Sequence, residues 1–283
     1  MRYGMNLLMW TDTLSDEMLP LLDELKEIGY DAVELPAFDL DNLDNYAKWG
    51  RRCDELGLAR TGTAVRGPSD NPISPDPAVR QKAVEANRRN LDCCAAAGCE
   101  VMAGPFHSAL GHFSGAGPTK DEWKWGVESM RQVAEHAEKV GVTLGIEYLN
   151  RFECYLLNTA ADLARFCKEV NHPSCKAMYD TFHAHIEEKN ATKAVYSLKD
   201  HLVHVHVSEN DRSTPGRGGV RWKQNFDALH RIGYDRILVV EAFGLALEKL
   251  VAATKIWRRM YKSERQLATD ALRFMKAEVA KRW

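Results

Sequence analysis

The feature that most constrains this chain is an eightfold alternation. Short β-rich apolar runs fall at 3–10 (YGMNLLMW), 32–36 (AVELP), 59–65 (ARTGTAV), 100–106 (EVMAGPF), 142–149 (VTLGIEYL), 176–182 (KAMYDTF), 202–208 (LVHVHVS) and 236–243 (RILVVEAF). Longer amphipathic stretches separate them, near 16–28, 41–56, 76–97, 120–140, 160–170, 191–199, 223–232 and 246–280. In these stretches apolar residues recur at three- and four-residue steps, as at Met130, Val133, Ala134 and Ala137, the period of a helix with one buried face. Gly29, Gly57, Gly98, Gly141 and Gly233 stand shortly before the next strand, where a glycine stops a helix. Eight βα units of roughly 35 residues predict an α/β chain folded as a single (β/α)8 TIM barrel spanning 1–283. The competing architecture is an open doubly wound sheet. That fold usually carries a glycine-rich phosphate loop after its first strand, whereas this chain continues into MWTDT.

Composition narrows the partners. With 45% hydrophobic and 28% charged residues the chain can bury a core, and its formal net charge of −2 gives no reason to expect nucleic acid. No apolar run approaches the roughly 18 residues that span a bilayer, so no membrane partner is expected. The opening MRYGMNLLMW lacks signal-peptide anatomy, which sets the expectation of a cytoplasmic protein. Seven cysteines without a CxxC pair read as reduced thiols, mostly buried on helices. The locally basic last thirty residues read as a solvated or subunit-facing helix.

Polar residues at the C-terminal ends of barrel strands point into the mouth, where barrel chemistry occurs. Glu147 lies late in strand five, Asp180 late in strand six, His206 in strand seven and Glu241 late in strand eight. Each interrupts an apolar run, and a buried carboxylate is costly unless a cation or hydrogen bonds compensate it. Three carboxylates and one imidazole from neighbouring strands suit a hard divalent ion such as Mn²⁺ or Mg²⁺, with Co²⁺ also acceptable. Glu153, His183 and Arg212 follow these positions and can bind the hydroxyls of an oxygen-rich substrate. His204 shares strand parity with His206 and reads as a packed or supporting residue one layer deeper. His107 and His112, in the loop after strand four, are candidates to line the mouth.

The strings EYLNRFE, MYDTFHAHIEE, HVHVSENDRSTPGRG and VVEAF resemble the D-tagatose 3-epimerase / D-psicose (D-allulose) 3-epimerase family of the xylose-isomerase-like TIM-barrel superfamily. The likeness covers almost the whole chain and is sharpest from 141 to 243. It implies one divalent ion, usually Mn²⁺ with Co²⁺ or Mg²⁺ as substitutes, held by Glu147, Asp180, His206 and Glu241. It also implies substrate hydroxyls on Glu153, His183 and Arg212, and a homodimer or homotetramer with the helix at 246–280 as a contact surface. The expected reaction inverts C3 of a free ketose through a cis-enediolate, with Glu147 and Glu241 as the acid–base pair on opposite faces. Two alternatives use the same site: an aldose–ketose isomerase, and a 3-keto-glycoside epimerase or lyase. A phosphodiesterase of the endonuclease IV type would need more histidines and a basic groove. A non-catalytic sugar-binding barrel is opposed by the intact pair of glutamates.

Overall fold

The computed structural model describes residues 1–283 and closes the eight runs, in sequence order, into one parallel barrel. Its strands are β1 (Arg2–Asn6), β2 (Ala32–Pro36), β3 (Ala59–Thr63), β4 (Val101–Gly104), β5 (Thr143–Ile146), β6 (Cys175–Asp180), β7 (Leu202–Val207) and β8 (Ile237–Val240). β1 pairs with both β2 and β8, so no edge is left open. The expected amphipathic stretches form α1 (Pro20–Ile28), α2 (Leu43–Leu56), α3 (Pro77–Ala97), α4 (Lys120–Val140) and α5 (Ala160–Val170) in the first part of the chain. α1 to α4 each end on the glycine marked in the sequence, at a positive φ that a Cβ would strain. Thr119 and Glu122 close a reciprocal cap on α4, each accepting the other's backbone N–H.

The second half departs from the periodicity in two places. A short α6 (Thr181–Glu187) follows β6 directly and is started by Asp180, whose Oδ1 accepts the Phe182 N–H at 2.6 Å. The sequence periodicity predicts no such helix, because its first two residues, Thr181 and Phe182, still read as the end of strand six. After α7 (Ala191–Ser197) and α8 (Trp222–Arg231), the expected helix at 246–280 is two helices, α9 (Glu248–Thr254) and α10 (Glu264–Ala280). Lys255 turns left-handed at φ 61 and ends α9, while the Ser263 hydroxyl accepts the Gln266 N–H and starts α10. Between them Ile256 is buried against Leu8 and Phe243, so the apolar spacing continues although the helix does not.

Several basic residues near the C-terminus are paired within the chain: Arg265 with Glu24 and Glu27, and Arg282 with Asp227 and Glu278. All seven cysteines are free and buried, with Cys53, Cys93, Cys94 and Cys167 on helices. No helix is long and apolar enough to cross a membrane.

Candidate active site

The barrel interior changes from apolar to polar toward its C-terminal end. Low in the barrel, Ala32, Ile237 and Val239 pack together. Above them β1, β2 and β3 place Asn6, Glu34 and Thr61 side by side in register, and β7 adds His204 and His206. Asp180 is paired in register with His206 across β6 and β7. Glu147 and Glu241 each sit one residue beyond the last residue of β5 and β8, just past the strand ends on which the sequence placed them.

The structure brings the four expected ligands together in two overlapping groups. Ligand atoms of Asp180, His206 and Glu241 lie within 4.8 Å of one another, as do those of Glu147, Asp180 and His183. The His206 Nδ1 faces Asp180 Oδ2 at 3.7 Å and Glu241 Oε1 at 3.4 Å. That nitrogen and Glu147 Oε1 are buried without a hydrogen-bond partner. A carboxylate oxygen and an imidazole nitrogen, both buried without a partner among the carboxylates, are what a divalent-cation site needs, so the donor set fits such an ion.

Arg212 brings a guanidinium into this cluster. It is 6% exposed, and its Nη1 donates to Asp180 Oδ2 at 2.9 Å and to Glu241 Oε2 at 2.5 Å. The guanidinium lies 3.8 Å over the Phe182 ring and 5.0 Å from that of Phe243, and its Nη2 is 3.0 Å from His183 Nε2. Arg212 itself holds a left-handed φ of 61, a strained choice for a side chain that turns this guanidinium inward. The loop carrying it is tied down by the fully buried Glu209, which accepts N–H bonds from Gly216, Val220 and the Trp222 indole.

Burial disfavours charge throughout this site, and each group answers according to its neighbours. Glu147 is raised well above the usual carboxylate range by burial, then by Glu241 and Asp180. For Asp180 burial acts in the same direction, but Arg212, His206 and His183 together outweigh it and hold the carboxyl well below its ordinary value. His183 is pushed down to about 3 by burial and by the Arg212 charge, so its imidazole is neutral. Its Nδ1 accepts the Asn150 backbone N–H at 3.0 Å, which leaves the Nε2 edge toward Glu147 Oε1, 3.6 Å away. Burial opposes charge on His206, yet Glu34 and Glu241 raise it above the usual imidazole range.

A cavity of about 590 Å³ opens above the cluster. Glu147, Glu153, His183, Arg212 and Glu241 supply its polar floor, and Leu8, Phe38, Phe113, Phe152 and Phe243 line apolar walls. Glu153 is steered by Asn150, whose Nδ2 donates to Oε1 at 2.8 Å. Two loop histidines fall elsewhere. His107 does not line the cavity: it is fully buried, with Nε2 2.9 Å from the Glu147 carbonyl oxygen and its ring tilted against Phe166. It supports the backbone of Glu147 from behind, because the loop after β4 folds inward before it reaches the mouth. His112 is exposed and outside the cavity lining. The reading of His204 as a supporting residue agrees with its place beneath His206, the two rings 5.1 Å apart.

Sequence reasoning missed Glu34. It is fully buried in β2, where it accepts bonds from Asn6 Nδ2 and Thr61 Oγ1, both at 2.8 Å, and meets His206 Nε2 at 2.7 Å. A lone carboxylate inside AVELP was the available signal. It lies in the middle of its strand, so the search along strand ends passed over it.

A family model described as "Xylose isomerase-like TIM barrel" matches residues 22–277. The D-psicose 3-epimerase of Ruminiclostridium cellulolyticum is 31% identical, over 97% of this chain and 98% of that protein. The L-ribulose 3-epimerase of Mesorhizobium japonicum is also 31% identical, over 97% and 93%. Among solved structures, D-allulose 3-epimerase from Methylomonas sp. in complex with D-allulose superimposes with a TM-score of 0.92 at 28% identity, covering 100% of this chain and 97% of that one. Likeness along the full length, together with the closed barrel and the acidic cluster at its mouth, places this chain in the xylose isomerase-like TIM barrel family, among the D-tagatose/D-psicose 3-epimerases.

Proposed function

We propose that this protein is a divalent-metal-dependent ketose 3-epimerase that inverts C3 of a free ketose through a cis-enediolate. The observation that carries the reading is the pair Glu147 and Glu241, which line one cavity from strand ends on either side of Asp180 and His206. Glu147, Asp180, His206 and Glu241 would hold the ion, Mn²⁺ with Co²⁺ or Mg²⁺ as substitutes. When bound, it supplies electrostatic stabilisation for negative charge developing on the substrate oxygens.

The chain's own residues perform the proton transfers. A proton next to a ketone is weakly acidic, and epimerisation needs it removed from one face and returned on the other. One of the two glutamates acts as base and the other as acid, and the roles exchange in the reverse direction. Neutral His183, Glu153 and Arg212 bind and orient the hydroxyls. The cavity leaves room beyond a hexose, and that volume favours a 3-keto-glycoside as the second reading. A homodimer or homotetramer in the cytoplasm belongs to the same proposal, its assembly to be measured by light scattering.

The test is a panel of free ketoses, ketose phosphates and 3-keto-glycosides, followed by NMR with a chelated sample and the same sample reloaded with Mn²⁺. Turnover of a free ketose that vanishes on chelation and returns with Mn²⁺ is the expected result. Undiminished turnover in a sample verified to be metal-free would overturn it.

A further inference from the structure

We propose that Glu34 is a positioning residue that fixes the ring tautomer of His206 and so presents the Nδ1 lone pair to the cation site. The inference rests on the reading of that site given above. His206 has two ring nitrogens on opposite sides, and only Nδ1 faces Asp180 and Glu241. The other, Nε2, lies 2.7 Å from Glu34 Oε1. Glu34 is surrounded by donors: the Asn6 amide on Oε1, the Thr61 hydroxyl on Oε2, and His204 Nε2 at 2.8 Å from Oε2, close but not aligned as a hydrogen bond.

A carboxylate so placed can only accept. The proton of the His206 bond therefore resides on Nε2, so in the neutral ring that a cation ligand must be, the free electron pair lies on Nδ1. That nitrogen has no hydrogen-bond partner in the protein although it is buried, which marks it as reserved for something the fold does not supply. Glu34 has no route to the substrate, since it lies in the barrel interior and is absent from the cavity lining. Its four neighbours come from β1, β3 and β7, so the ring orientation of a β7 residue is fixed from the opposite side of the barrel.

Glu34→Gln separates this role from plain packing. The amide keeps the volume, but its NH₂ group can no longer accept a bond from every donor around it. If that NH₂ faces His206, the ring must accept at Nε2 and carry its proton on Nδ1, blocking the cation. Outer partners of ligating histidines typically contribute 10–100-fold to metal affinity. We therefore expect Mn²⁺ affinity, measured by calorimetry on the full chain, to fall about 10–100-fold in Glu34→Gln. Thr61→Val removes a donor from Oε2 and leaves the Oε1–His206 bond intact, so its affinity should stay within about threefold of wild type.

The wild-type protein supplies a readout that no folding defect can obscure. With ¹⁵N-histidine and diamagnetic Mg²⁺, the His206 signal should show the proton on Nε2 and a Mg²⁺-dependent shift at Nδ1. A proton on Nδ1 in the loaded protein would overturn the proposal, as would Glu34→Gln binding Mn²⁺ within threefold of wild type. An equal loss in Thr61→Val would also overturn it, by reducing Glu34 to general packing. Wild-type protein that binds neither Mn²⁺ nor Mg²⁺ would remove the cation-site reading itself, and this inference with it.

Discussion

Arg212→Gln should destabilise the chelated protein far more than the Mn²⁺-loaded one. In the structure one guanidinium nitrogen bonds both Asp180 and Glu241, and the group is sealed between Phe182 and Phe243. Removing it leaves two buried carboxylates, with Glu147 beside them, facing one another without that cation. Breaking a buried ion pair by deleting one partner costs about 3–5 kcal/mol. At about 2–4 °C per kcal/mol for a chain of this size, the chelated variant should melt about 6–20 °C below chelated wild type. Saturating Mn²⁺ supplies positive charge to the same carboxylates and binds only the folded state, so the gap should shrink to a few degrees. Differential scanning calorimetry with and without chelator, together with metal analysis of the purified variant, gives both numbers. Bound metal per chain should equal wild type, because Arg212 is outside the ligand set. A chelated variant melting within 2 °C of wild type would show that Arg212 does not carry the charge balance argued for it. A variant purified without metal would show that the division between ligands and substrate-binding residues is wrong.

Glu153→Gln should lower kcat/KM about tenfold, the value of one hydrogen bond of about 1.4 kcal/mol, with metal content unchanged. Loss of metal in that variant would move Glu153 into the ligand set. His107 titrates near 6.5 when unfolded but is pushed down to about 4 by burial in the fold. The unfolded chain therefore binds more protons between those values, and stability present above pH 6.5 is lost as pH falls toward 4. On that basis wild type should lose about 2 kcal/mol more than His107→Gln between pH 7 and pH 5 in urea unfolding of metal-free protein. Equal losses in the two proteins would contradict the buried, neutral assignment.

The barrel was legible because each unit carries two periods, an apolar strand run and a helical stripe, and neither depends on distant residues. Asp180, His206, Glu147 and Glu241 stood out for a related reason: charge inside an apolar run is expensive, and barrel topology gathers neighbouring strand ends at one mouth. What stayed hidden depends on side-chain direction or on local caps. The break at Lys255 and Ser263 was concealed because Ile256 continues the apolar spacing by packing on Leu8 and Phe243. α6 was hidden because Asp180 serves at once as strand end, candidate ligand and helix cap. His107 was expected at the mouth from its loop, but the direction in which that loop folds is set by packing against Phe166. Glu34 escaped because its partners are on strands distant in sequence, and only the closed barrel brings them within 3 Å.

The central claim is that two glutamates act on opposite faces of one carbon, and hydrogen exchange in D₂O tests it most directly. Glu147→Gln and Glu241→Gln, each with its metal content measured, are incubated with the accepted ketose and followed by NMR at C1 and C3. The account predicts that epimerisation is nearly eliminated in both variants. Whichever variant retains metal should place deuterium at C3 of the starting sugar with retention, because one carboxylate still removes and returns the proton on its own face. Deuterium at C1 accompanied by an aldose product, or undiminished epimerisation in either variant, would contradict it.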